Sequence, residues 1–195
     1  MKNKKRERAL ALACCAAMAA LMLLFTSQCS PLYPINVWGD ANCLLTVGRV
    51  MKRGGVLYRD IYEQKGPLLY LIHAAAACLS DTSFSGVYLM EIPALTAALY
   101  AAYRLMRLRA GSAFALGAAV VFGALATTGG SFMRGDSAEE FCLPLLTAAL
   151  AIAYAEYGRR QTDAHEATAG LRRAGRMRRG DQVYAARRDG RAVHR

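Results

Sequence analysis

The chain has 195 residues, 55% of them hydrophobic, 25 Lys and Arg against 14 Asp and Glu, and a formal net charge of +11. The apolar residues gather into blocks near 9–27, 67–79, 87–103, 113–128 and 141–157 that are apolar on every side, with the charge between them. A soluble helical protein would instead show a stripe at helical spacing with charge opposite, so the pattern argues for membrane spans. The basic excess lies largely in the first eight residues and after Gly158, as it does at cytoplasmic membrane borders, and no nucleic-acid partner is expected.

The first block follows Lys2, Lys4, Lys5, Arg6 and Arg8 and runs for about 17 nearly uninterrupted apolar residues, long for a cleaved signal and just enough to span. The basic flank predicts a cytoplasmic N-terminus and places residue 28 onward outside. Six cysteines form no framework. Cys14, Cys15, Cys78 and Cys142 sit in apolar blocks, and neither zinc-site nor disulfide spacing is present.

The segment GDANCLLTVGRVMKRGGVLYRDIYEQKGPLLY, residues 39–70, is rich in charge, and Asp40 in it also suits a helix N-cap. The block 67–79 is too short to cross and is read as a juxtamembrane helix on the outer face, with Pro67 starting it. Under that assumption 87–103 carries Arg104, Arg107 and Arg109 to the cytoplasm, SFMRGDSAEE lies outside and the arginine-rich tail inside. The fold class expected is thus all-α, a multi-pass transmembrane helical bundle of about four spans.

This topology puts Asp40, Asp60 and Glu63 on the same side as Asp136, Glu139 and Glu140. Loop carboxylates above membrane helices can act as a general base or bind a divalent cation. Arg49, Arg59 and Lys65 on that side suit a lipid-linked phosphate. Glu91, inside a predicted span beside Pro93, reads as a cavity-facing or snorkelling acid, and His73 as a packed histidine. Tyr58, Tyr62 and Tyr70 fit an interfacial aromatic belt, and the Gly pairs at 54 and 129 read as turns.

Asp40 soon after the first span, Gly48-Arg49 followed by Gly55-x-x-Tyr58-x-Asp60, and the K-G-P-L-L-Y beginning at Lys65 together resemble the first outer loop of the GT-C membrane glycosyltransferases. The resemblance is to the protein O-mannosyltransferase and aminoarabinose-transferase group, glycosyltransferase family 39. GGSFMRGDSAEEFCLPLL looks like the second outer loop. The resemblance implies transfer of a hexose or pentose from a polyprenyl-phosphate-linked sugar to a protein, lipid or glycan outside the membrane. It further implies Asp40 as the catalytic acid or base, Lys65 and Arg49 as holders of the donor phosphate, and Glu63, Asp136 or Glu139 as a second acidic site, possible ligands of a divalent metal. Ala41 stands where many members carry a second acid, Gln64 where some carry an acid, and Gly66 where the motif has its first proline.

The domain expectations are a basic cytoplasmic N-terminus at 1–8, the N-terminal part of a GT-C transmembrane domain at 9–158, and a basic, disordered tail at 159–195 arising from a shifted frame or a truncated gene. Because such enzymes are several times longer, little or no activity is expected of this chain alone. The alternatives are a small non-enzymatic multi-pass membrane protein whose basic tail binds anionic lipid or a partner, and a transporter piece in which Glu91 is the substrate or proton site. The membrane expected is the bacterial plasma membrane.

Overall fold

The computed structural model describes residues 2–163, and these are helical with connecting loops. In chain order the elements are α1 (Lys2–Thr26), α2 (Gly39–Lys52), α3 (Pro67–Leu79), α4 (Ser85–Met106), α5 (Ser112–Thr128), a 3-10 turn at Gly130–Phe132 and α6 (Ala138–Asp163). The chain divides into two units, 1–152 and 153–195. The first contains α1 to α5 and the larger part of α6, while most of the tail expected at 159–195 lies outside the described residues.

Among the described residues two helices are long and apolar enough to cross a membrane. These are Lys5–Thr26, 22 residues at mean hydropathy 2.4, and Ala138–Asp163, 26 residues at 1.4. Only 22% and 6% of their most apolar 18-residue windows is buried, whereas the core helix of a soluble domain is mostly buried. Their outward faces carry Leu10, Leu12, Leu21 and Phe25 on α1 and Leu145, Leu146, Leu150 and Ile152 on α6. The α5 and α3 helices are shorter apolar segments.

The inward stripe of α1, Ala11, Cys15, Ala19 and Leu23, repeats every four residues and packs with Leu95, Leu99 and Tyr103 of α4 and Ala115 and Ala119 of α5. Small residues on this seam let backbones approach. A Cβ on Gly123 would meet Leu99 at 2.7 Å and the Met22 sulfur at 2.8 Å. The α4 helix runs opposite to both α1 and α5. At one end the Arg107 guanidinium donates to Glu7 at 2.8 Å and Tyr103 lies 3.2 Å from Ser112. At the other end Ser27, just past α1, bonds Glu91 in the first third of α4.

The α2–α3 hairpin sits at that second end. The α2 helix buries Ala41, Leu44, Leu45, Val47 and Gly48 on one face of an amphipathic helix, and it begins at Gly39, two residues before the start that an N-cap at Asp40 implies. A Cβ at Gly48 would overlap the His73 carbonyl of α3, and one at Gly86 the Ala76 carbonyl, so these glycines set close crossings. The α2 helix ends where Gly54 takes φ +91 and Gly55 N–H donates to Val50 O at 2.9 Å. As expected, Pro67 opens α3.

Candidate functional site

The loop between α2 and α3 is built by its own side chains. The Asp60 carboxylate accepts from Val56 N–H at 2.8 Å and is paired with Arg59, which fixes the turn and leaves Asp60 a structural acid. Glu63 accepts from Lys65 N–H at 3.0 Å and from the Tyr70 hydroxyl, and Tyr70 in turn accepts from Lys65 N–H at 2.7 Å. Burial works against the Glu63 charge, but these hydrogen bonds prevail and hold its carboxyl below the ordinary value. Tyr70 is therefore a buried anchor of Lys65, whereas Tyr58 and Tyr62 are exposed as a belt requires.

That anchoring directs Lys65 back to α2. Its Nζ lies 3.5 Å from Asp40 Oδ2, joining two residues 25 positions apart. Asp40 is not the N-cap, a place taken by Trp38; it stands in the first turn of α2, where the helix dipole favours its charge. Its side chain is 53% exposed and so is open to a reactant. Cys43, Tyr62 and Glu63 line a cavity of about 290 Å³; Asn42 and Glu63 in its lining are two residues from Asp40 and Lys65, which do not themselves line it.

Arg49 does not join them. Nine residues along α2 from Asp40 is two and a half helical turns, and it faces a different cavity with Asn36, Asn42 and Ser85. Glu139 is exposed on α6 and lines a third cavity of about 300 Å³ between α5 and α6.

Asp136 lies in neither place. It belongs to a buried polar cluster at the same end of the bundle, with Ser27, His73, Glu91 and Glu140, whose full extent sequence reasoning missed. The loop before α6 takes left-handed backbone at Met133, Arg134, Gly135 and Asp136 in succession, which tucks it under the end of α1. Gln28 N–H donates to Arg134 O at 2.7 Å, and a Cβ on Gly135 would overlap the Ser27 hydroxyl and meet Glu91 Oε1 at 3.0 Å. The Asp136 N–H is shared between Glu91 Oε1 at 2.8 Å and Glu140 Oε2 at 3.1 Å, while Ser27 Oγ donates to Glu91 Oε2 at 2.8 Å.

His73 closes the cluster. Its Nδ1 stands 2.7 Å from Leu69 O, an obligate acceptor, so the Nδ1 proton is fixed there. Nε2 stands 2.6 Å from Asp136 Oδ1, a distance that requires one further proton between imidazole and carboxylate. Burial opposes charge on His73, but the Asp136 carboxylate outweighs it, and the histidine holds its proton above the usual range. Asp136 is raised by burial, against the opposing pull of His73. The pair thus keeps its shared proton in the fold. Asp136 Oδ2 and Glu140 Oε1 are buried without a partner.

Among the described residues no three His, Cys, Asp or Glu side chains gather in a geometry that could hold a metal ion. Glu63 is engaged by Tyr70 and Lys65, Asp136 by His73, and Glu139 is on another face, so the expected acidic ligands do not converge. All six cysteines are free, with Cys29 buried and Cys43 exposed. No family model, curated protein or solved structure matches the chain.

Proposed function

We propose that the chain is the donor-binding portion of a membrane glycosyltransferase of the GT-C type, using a polyprenyl-phosphate-linked sugar on the outer face of a bacterial plasma membrane. The observation that supports it most is the convergence of Asp40 and Lys65, the two ends of the motif-bearing segment, on one exposed spot. In this reading α4 and α5 cross the bilayer with α1 and α6, the N-terminus is cytoplasmic, and the α2–α3 hairpin rests on the outer surface. The Glu7–Arg107 pair at the opposite end accords with a cytoplasmic border there.

Asp40 takes the proton of the acceptor hydroxyl as its oxygen attacks the anomeric carbon. The bond from that carbon to the phosphate oxygen breaks, and the phosphate leaves with the electron pair. Lys65 swings from Asp40 to the leaving phosphate, stabilising the charge that develops there. The acceptor is a protein, lipid or glycan hydroxyl. Glu63 and Tyr70 serve by holding the Lys65 backbone in place.

Binding of polyprenyl phosphate to the full chain in neutral-lipid nanodiscs tests this reading. Lys65→Ala is expected to weaken binding about tenfold, the worth of one charge-assisted contact, while Asp40→Asn retains it. Binding that ignores Lys65 sinks the assignment. A transporter is the second reading, favoured by the fully buried Glu91 beside Asp136 and Glu140. Under that reading, Glu91→Gln blocks solute-driven proton uptake into proteoliposomes, and polyprenyl phosphate does not bind.

A further inference from the structure

The largest of the cavities described lies away from the Asp40–Lys65 pair, between the loop after α1, the middle of α2 and the start of α4. Its volume is about 590 Å³, ample for a small organic ligand and several times what a bare phosphate fills. Arg49, Asn36, Asn42, Thr82, Ser83 and Ser85 line it, and no carboxylate does.

Arg49 stands here without a counter-ion. Its Nε is buried with no hydrogen-bond partner, and among the described residues no acid pairs with its guanidinium. A buried donor left unmade is costly, so a group that accepts from it is favoured. Asp81, the acid next in sequence to the lining, is already held by Lys52 at 2.9 Å. The 22-residue α4 begins at Ser85 and adds the positive end of its dipole; its N-cap residue, Phe84, offers no side-chain bond. The hydroxyls of Ser83 and Ser85 bond only each other and their neighbours, and Thr82 lies beside them.

The remaining lining suits hydroxyl groups. Asn36 and Asn42 are held in the same lining: Trp38 N–H donates to Asn36 Oδ1 at 2.9 Å and Asn36 Nδ2 to Cys29 Sγ at 3.4 Å, while Asn42 Nδ2 donates to Trp38 O at 2.8 Å and Asn36 O at 3.0 Å, which leaves Asn42 Oδ1 to accept from a hydroxyl. The lining therefore joins a cation and hydroxyls to amides. We propose that this cavity is a binding site for a phosphate ester of a small polyol, the phosphate at Arg49 and the start of α4 and the hydroxyls toward Asn36 and Asn42. The proposal goes beyond the donor site and does not depend on it.

The full chain in an uncharged polyoxyethylene detergent is titrated with sn-glycerol 3-phosphate by isothermal titration calorimetry. A saturable change is expected, weakened about tenfold or more by Arg49→Ala and less by Arg49→Lys, which keeps the charge but loses the fork. Thr82→Val, at an exposed position that spares the helix packing, is expected to weaken binding by a smaller factor and guards against misfolding of the arginine variant. Lys65→Ala leaves the titration unchanged.

The same titration in nanodiscs identifies the natural source of the group. Loss of the response in phosphatidylglycerol discs, with its retention in phosphatidylcholine discs, assigns the site to a lipid headgroup; retention in both assigns it to a soluble ester. No saturable response in detergent, or one indifferent to Arg49→Ala and Thr82→Val, overturns the proposal. Equal loss with Lys65→Ala overturns it too, since the ligand would then occupy the donor site. Failure of polyprenyl phosphate to bind leaves this site untouched.

Discussion

Replacing His73 with leucine removes the partner of Asp136 without emptying the space between α2, α3 and Phe141, whose ring lies edge-on to the imidazole at 5.9 Å. Asp136 Oδ2 already lacks a partner, so the variant leaves both carboxylate oxygens orphaned in a side chain that is 0% exposed. Breaking a buried pair by deleting one member costs roughly 3–5 kcal/mol. A second change, Asp136→Asn, takes away the charge while keeping a side chain that tolerates the φ of +62 at this position. The orphan is then a neutral amide, which costs about 1–3 kcal/mol. The double variant should therefore be more stable than His73→Leu alone by about 2 kcal/mol, so the two losses do not add. Denaturation of the detergent-solubilised full chain, followed by far-ultraviolet circular dichroism for the four members of the cycle, measures it. Loss below about 1 kcal/mol in His73→Leu, or strict additivity in the double variant, would refute the account of the cluster.

The pH dependence follows from the same pair. His73 and Asp136 both hold protons more firmly when folded, so the folded chain carries more protons and stability falls as pH rises. The His73 share is complete below its ordinary value of 6.5 and is lost as pH climbs through its raised folded value; a thermal midpoint that rises across that window contradicts it, and His73→Leu should flatten the profile. Gly48→Ala drives a methyl into the His73 carbonyl and is expected to cost about 1–3 kcal/mol, read by the same denaturation assay. Gly135→Ala meets both a φ of +94 and the Ser27 hydroxyl, so a loss of at least about 1–3 kcal/mol is expected; a neutral effect would mean that the loop is not packed under α1.

The sequence was most informative where its signal was periodic or positional. The bounds of α3 and α5, the start at Pro67 and the meeting of both loops at one end of the bundle were legible from apolar block lengths and the distribution of arginine. The α2 helix was obscured because its buried face, Ala41 to Gly48, is short and interleaved with polar residues. The resemblance put Asp40, Arg49 and Lys65 in one site without pairing any two of them, and the separation of Arg49 came from the phase of a helix the sequence only hinted at. His73 was read as packed, and it is. Its pairing with Asp136 was not legible, because 63 residues separate the two and nothing near either one points to the other. The four left-handed residues from Met133 to Asp136 include only one glycine, so the turn that brings Asp136 to His73 left little trace in composition.

The central claim, an outward-facing donor site at Asp40 and Lys65, is tested most directly at Cys43. This exposed cysteine lies three residues beyond Asp40 and lines the cavity with Tyr62 and Glu63. In a variant keeping Cys43 and carrying serine or alanine at the other five cysteines, alkylation by a membrane-impermeant maleimide is followed on intact cells and right-side-out vesicles, with and without polyprenyl phosphate. The account predicts labelling from outside that polyprenyl phosphate slows, and no slowing in Lys65→Ala. Labelling only after permeabilisation, or a rate that polyprenyl phosphate leaves unchanged, would contradict it.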